Sequence, residues 1–340
     1  INDKLHFSAQ YSRVSDSEYF KEIARTNIDI KTLKSHIKLT YDDEENNLSA
    51  ALLTEDQQIV NEGVPIYTRA LEASLSKTFI IDTNQREKND AEIDAEIERQ
   101  LYEQAKGTSG EIAAEKIYNK VKIESWKYPS TSLSVNLSST KFNHDDVTKE
   151  SGVRTNGNFE ILRPFAIKFP KITPKANVNI TNYSLKNSNN INRTILGSGL
   201  DIDFTVIIPT SMFGYQANHR ITPLISYNYR AKKVQGNIPI FDTEDKYTDI
   251  ITFADLTSGE RYTGLDRITN ANDITLSLES SYRAIDAIDD DKDLLNMRIA
   301  QSFYTDDEVV SDTTNSNYET RKSYSDIAAS IDVALGKYVI

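Results

Sequence analysis

Long segments of strictly alternating apolar and polar residues, a low overall hydrophobicity and the lack of any apolar run long enough for a membrane helix predict an all-β chain. The expected fold is part of a transmembrane antiparallel β-barrel with one helical hairpin inserted. Only 38% of the 340 residues are hydrophobic. The mean hydropathy of -0.51 is low for a packed soluble α/β enzyme and natural for a wall with one apolar face. Eighteen Tyr against one Trp add to the β reading.

The first strand is marked by Leu5, Phe7, Ala9 and Tyr11 alternating with His6, Ser8, Gln10 and Ser12. Strand-like pieces at 27–32 and from Leu33 to Tyr41 follow, then a polar tip at 42–47 and strands from Leu48 to Thr54 and Ile66 to Phe79. The period changes within residues 86–123, where Ile93, Ile97 and Leu101 fall on one helical face. Gly107 and Gly110 break that helix and Glu111 to Val121 reads as a second one. This hairpin reads as an insertion between two strands, with a partner-docking element as the alternative.

Strands resume at Trp126, and Leu133, Val135 and Leu137 oppose Ser134, Asn136 and Ser138. Asn156-Gly157 predicts a turn before strands at Phe159 to Phe169 and Asn177 to Leu185. From Leu200 to Ile208 the apolar face opposes Asp201 and Asp203, two carboxylates that must meet water. Ile274, Leu276 and Leu278 oppose Thr275, Ser277 and Glu279; Leu295, Met297, Ile299 and Phe303 oppose Asn296, Arg298, Ala300 and Ser302. Ile327, Ile331, Val333 and Leu335 repeat the pattern, and acidic polar tips at 286–292 and 306–323 separate these last strands. Pro164, Pro170, Pro174, Pro209 and Pro223 are expected near strand ends, where a missing donor is tolerated.

A formal charge of -12 without clustered Lys and Arg excludes a nucleic-acid partner. The absence of Cys removes thiol chemistry and thiolate zinc sites. His6, His36, His144 and His219 share no metal-ligand spacing, and 289–293 lacks the Gly and Glu of a calcium loop. No nucleophile elbow, phosphate loop or catalytic triad can be assembled, so no catalytic, cofactor-binding or metal site is expected and the chain reads as no enzyme.

The stretch from Lys232 to Asn272 is much longer than an ordinary hairpin loop and carries Ile238, Ile240, Phe241, Ile250, Ile251, Phe253 and Leu265. Apolar residues on so long a loop must be packed, either on the loop itself or in a cavity. Gly264 stands where a tight turn needs positive φ, and Asp266 and Arg267 are positioned to tie the loop to polar strand residues such as Glu279 or Arg283.

Here Tyr262, Gly264, Leu265, Asp266, Arg267 and Ile268, with Ala271-Asn272, resemble the Y-x-GLDRI-x-x-AN segment of the LptD family, the lipopolysaccharide-assembly or organic solvent tolerance proteins. The resemblance extends through PLISYNY at 223–229, NIPIFD at 237–242 and IAQSFYT at 299–305, and more weakly through VSDSEYF at 14–20. It implies the barrel of a translocon in the bacterial outer membrane that places lipopolysaccharide in the outer leaflet, its wall against membrane lipids. It also implies a plug lipoprotein, LptE, and a periplasmic lipopolysaccharide bridge protein engaged through a domain outside this chain. The family's disulfide cysteines would fall outside it too. Residues 232–272 would fold over or into the lumen, with Tyr262, Gly264, Leu265, Asp266, Arg267, Ile268 and Asn272 as the structural, lumen-gating segment. A general porin and a non-membrane β-rich adhesin are the alternatives; the first would lack this loop, and the second would hide its apolar faces in a sandwich. The chain starts without an export signal and ends within an alternating run at Ile340, so an open sheet with two free edges is expected.

Overall fold

The structure, a computed structural model, describes residues 3–16, 19, 32–60, 66–81, 131–165, 169–212, 215–246, 251–284, 293–305 and 323–333. The helical hairpin expected within 86–123, the strand piece at 27–31, the strand start at Trp126 and the tips at 286–292 and 306–322 lie outside the described residues.

Among the described residues thirteen strands form one sheet. They are β1 Leu5–Gln10, β2 Thr32–Asp43, β3 Leu48–Ile59, β4 Thr68–Ile81, β5 Thr131–Asn143, β6 Gly152–Leu162, β7 Lys171–Leu185, β8 Ile191–Asp203, β9 Val206–Met212, β10 Tyr215–Arg230, β11 Ala271–Ala284, β12 Asp293–Tyr304 and β13 Ala328–Val333. Every pairing is antiparallel. Neighbours in sequence are neighbours in space, except that β8 and β9 lie end to end along β10. Among the described residues no ladder joins β1 to β13, so the sheet is open, as a part of a barrel wall is.

The alternation sorts side chains onto two faces of opposite character. On one face Leu75, Leu137, Ile180, Leu196, Ile225, Leu276, Leu278, Ile299 and Ile331 are exposed. On the other, Thr140, Arg154, Asn156, Thr181, Arg193, Thr275, Asn296 and Ser302 are buried. A soluble sandwich hides apolar and exposes polar groups; this sheet is inverted, as a barrel wall in lipid is. Strands of 14 to 16 residues, β4, β7, β10 and β11, far exceed the ordinary five or six.

The two buried apolar clusters sit on the polar face. Phe142 of β5 and Tyr183 of β7 cluster with Ile238 and Phe241 from the β10–β11 connection. Leu256, in the short helix α1 Phe253–Ser258 of the same connection, packs on Ala300 of β12 and Ala328 of β13. Both clusters therefore lie under one loop.

Three sequence expectations are corrected. Asn156-Gly157 is no turn: both residues lie inside β6, paired to β5 and β7. The Phe159 ring lies over Gly157, so close that a Cβ there would be 3.1 Å from it, and two flanking ladders outweigh the local turn preference. The strand expected from Leu200 to Ile208 breaks at Phe204-Thr205, where Asp203 Oδ1 accepts from the Thr205 backbone N–H at 2.7 Å and competes with the ladder. Pro223 stands in the middle of β10 rather than at a strand end. It faces that same break, where its carbonyl accepts from Phe204 N and a missing N–H interrupts no ladder.

Because Leu278 sits mid-strand on the exposed apolar face, Leu278→Arg should destabilise the chain in lipid by roughly 2–4 kcal/mol, and Leu278→Phe by far less. Urea titration of protein refolded into bilayers checks this; equal midpoints for the two variants would show that the face does not meet lipid.

Candidate functional site

The connection from β10 to β11 is held on the polar face by a buried ionic cluster. Arg154 of β6, 4% exposed, donates from Nη1 to Asp242 Oδ1 at 2.6 Å and to Asp266 Oδ1 at 2.8 Å, and from Nη2 to Asp242 Oδ2 at 2.8 Å. Its guanidinium also lies 4.9 Å from the centre of the Phe142 ring. Asp266, wholly buried, accepts in addition from Tyr183 Oη at 3.1 Å and from the backbone N–H groups of Phe241 and Asp242 at 2.7 and 3.1 Å. Four donors thus fill the acceptor sites of one carboxylate, which is what a buried charge needs.

Burial pushes the Asp242 carboxyl up, and the hydrogen bonds and charge of Arg154 more than reverse this, leaving it below the usual carboxylate range. Arg193 of β8 clamps the other side: it donates to Gln235 Oε1 at 2.6 Å, to the carbonyls of Leu265 and Asp266 at 2.6 and 3.1 Å, and to Thr181 Oγ1 at 2.9 Å. Gln235 in turn accepts from Ile268 N and donates to Ile268 O.

Within the loop, 243–246 and 261–263 form a narrow ribbon: Lys246 N donates to Arg261 O, Thr263 N to Glu244 O, and Arg261 holds Asp245 through a forked pair. The ribbon turns at Gly264, whose φ of 63 is the left-handed value expected there. A Cβ at Gly264 would also lie 2.5 Å from Asp242 Oδ1 and 2.7 Å from Asp242 O, so space as well as backbone conformation demands glycine. Helix α1 carries a reciprocal cap between Thr252 and Asp255 and ends at Gly259 with φ 64.

The segment from Tyr262 to Ile268 is therefore brought against β6, β7 and β8. Tyr262 bridges to Asp245, Leu265 and Asp266 engage Arg154, Tyr183 and Arg193, and Arg267 donates to the Asp266 carbonyl. Asn272 belongs to the base of β11, where its Oδ1 accepts from Tyr227 Oη at 3.0 Å and its carbonyl from Thr305. The pairing expected between Asp266–Arg267 and Glu279 or Arg283 is not made by Asp266 or Arg267; Glu279 accepts from Arg298 and Asn296 instead. The loop reaches β5, β6, β7 and β8, through α1 also β12 and β13, and is held to its own hairpin by Arg230 of β10. Sequence reading missed Arg154, Tyr183, Arg193, Gln235 and the helix α1. Its available signals were an Arg at a polar strand position and the Thr252…Asp255…Gly259 spacing.

Between this segment and the strands lies a cavity of about 280 Å³, lined by asparagines of β5, β6 and β7 and by Arg230, Arg267 and Tyr262.

Removing Asp266 leaves Arg154 with Asp242 alone and strips the Tyr183 hydroxyl and the Phe241 and Asp242 N–H groups of their acceptor. Asp266→Ala should weaken loop docking by roughly 3–5 kcal/mol and expose Arg261 and Arg267 to trypsin while heat-dependent gel mobility of the barrel stays normal. Trypsin resistance equal to that of the parent would overturn the assignment. Because the Asp242 pKa is depressed in the fold, its ion pair stabilises fully above roughly pH 4, the unfolded value, and this is lost as pH falls through the lower folded value. Amide exchange at Phe241 to Asp266 should accelerate below that range more than exchange in β11.

The family model described as LPS transport system D matches residues 115–340. The LPS-assembly protein LptD of Neisseria meningitidis serogroup B is 27% identical over 183 residues, 52% of this chain and 22% of that protein. That of Shewanella frigidimarina is 28% identical over 203 residues, 58% and 26% of the two chains, and that of Pseudoalteromonas atlantica 33% identical over 124 residues, 36% and 15%. Each match takes in only about a quarter or less of its relative's length. A family match over well more than half the chain, on a sheet with inverted faces and a loop locked to its polar side, is decisive: the chain belongs to the LptD family.

Proposed function

We propose that this chain forms part of the wall and the internal loop of an outer-membrane translocon that places lipopolysaccharide in the outer leaflet. The exposed apolar face would meet lipid. The opposite face, rich in Ser, Thr, Asn and Arg, would give the saccharide portion a hydrated path, while the acyl chains pass beside the wall. No covalent step is required, and the family is named for transport and assembly rather than for catalysis.

The observation that carries this reading is the buried attachment of the 231–270 connection to β6, β7 and β8 through Arg154 and Arg193. A loop fixed across the polar face acts as a barrier there, and Tyr262 to Ile268 with Asn272 at its base are its gating segment. A plug lipoprotein such as LptE and a periplasmic bridge protein complete the path in this reading.

Depleting the full-length protein from cells should strand lipopolysaccharide short of the surface; unchanged surface lipopolysaccharide would sink the proposal. For the barrier role, Gly264→Val, which forces a Cβ into Asp242, should make cells sensitive to vancomycin at normal levels of folded barrel. Full resistance in that variant would reduce the loop to packing.

A further inference from the structure

The cavity beneath the gating segment is rich in hydrogen-bond donors. Across hydrogen-bonded neighbours of β5, β6 and β7, Asn136 stands beside Asn158 and Asn158 beside Asn179, a row of carboxamides facing the loop. Two residues along, on the same face, Asn156 is opposite Thr181.

The oxygens of three of these amides are already occupied. Asn136 Oδ1 accepts from Ser76 at 2.6 Å, and Asn156 Oδ1 and Asn179 Oδ1 share the Thr181 hydroxyl at 2.9 and 3.0 Å. The Thr181 oxygen takes a hydrogen bond from Arg193 Nη2, which leaves the hydroxyl proton for the two asparagines. The amide N–H groups of Asn136, Asn156 and Asn179 then have no protein acceptor among the described residues.

Arg267 adds the charge. It lines the same cavity, is 4% exposed, and holds only the Asp266 carbonyl, its Nε having no partner among the described residues. The two buried carboxylates nearby, Asp242 and Asp266, are already taken up by Arg154, Tyr183 and backbone N–H groups. Among the described residues Arg230 at the wall donates to the carbonyls of Gly259 and Thr269. Glu260 is, among the described residues, the one carboxylate lining the cavity, and it is exposed. A buried guanidinium beside undirected amide donors is a site for an oxygen-rich anion, and the volume lies near the lower bound of roughly 300 Å³ for ligand pockets.

We infer that this cavity binds a saccharide unit bearing a phosphate or carboxylate, its anionic group on Arg267 and its hydroxyls on the Asn136–Asn158–Asn179 row. The inference rests on the reading of the polar face as the side that meets the translocated glycan. The shared chemistry is an anionic sugar, which a free sugar phosphate and a lipid-borne glycan both supply.

The test is a binding titration on the full-length protein in detergent micelles. The probes are glucose 6-phosphate, glucose, inorganic phosphate, and a phosphorylated oligosaccharide deacylated from lipopolysaccharide. Glucose 6-phosphate or the oligosaccharide should bind, with glucose and inorganic phosphate each weaker by roughly tenfold; the tighter of the two anionic sugars identifies the source. Arg267→Gln should weaken binding by a similar factor. Asn158→Asp, which sets a carboxylate against the anion without touching the Arg154 cluster, should do the same and carries the test alone if Arg267→Gln fails to fold. Glucose or inorganic phosphate binding as tightly as the anionic sugars, or unchanged affinity in folded Asn158→Asp, overturns the inference. Failure of every probe, with lipopolysaccharide still stranded on depletion, overturns the site and leaves the transport reading intact.

Discussion

The arrangement depends on Arg154 being shared by Asp242 and Asp266, two carboxylates 24 residues apart in the loop. Burying three charges is unfavourable by several kcal/mol per ion unless each is fully hydrogen-bonded. Asp266 meets that condition with four donors, two of them backbone N–H groups of the segment that also carries Phe241. The ionic contact and the apolar one are therefore coupled: the same short stretch that caps Asp266 inserts the Phe241 ring against Phe142, 4.6 Å between centroids. Neither can form without the other being in place, which makes the docked loop one cooperative unit.

The wall makes this possible by being inverted. In a sheet with an apolar outer face, the inner face is the only place where charged strand residues can sit, and adjacent ladders bring Arg154, Tyr183 and Arg193 within reach of one loop. The cluster is thus a consequence of alternation on three neighbouring strands. The donor excess of the cavity follows from the same packing, since hydroxyls of β4 and β7 occupy the asparagine oxygens and leave the nitrogens.

Alternation made most of the sheet legible: Leu33 to Tyr41 and Ile274 to Leu278 lie in β2 and β11 with the expected faces. It misled where a local signal competed with two flanking ladders, as at Asn156-Gly157, and where a side chain broke a ladder, as Asp203 does. The loop was visible by its length and apolar content, and Gly264 by its turn chemistry. Its partners were not. Asp266 meets Arg154 across 112 positions of sequence, and no periodicity or spacing encodes which of several polar strand residues a loop will reach. Proximity in sequence suggested Glu279 and Arg283; topology selected β6 and β8.

The central claim is that the Asp266–Arg154 pair fixes the loop on the polar face. A double-mutant cycle with Arg154→Met and Asp266→Leu, read as loop protection from protease in the intact barrel, tests it most directly. Arg154→Met should strip protection by leaving two buried carboxylates without their cation, and Asp266→Leu by leaving the Tyr183 hydroxyl and two backbone N–H groups without an acceptor; the double change should lose less than the sum of the two, a coupling of roughly 2–3 kcal/mol. Additive losses, with the double variant as exposed as the sum of the two singles, would contradict the account.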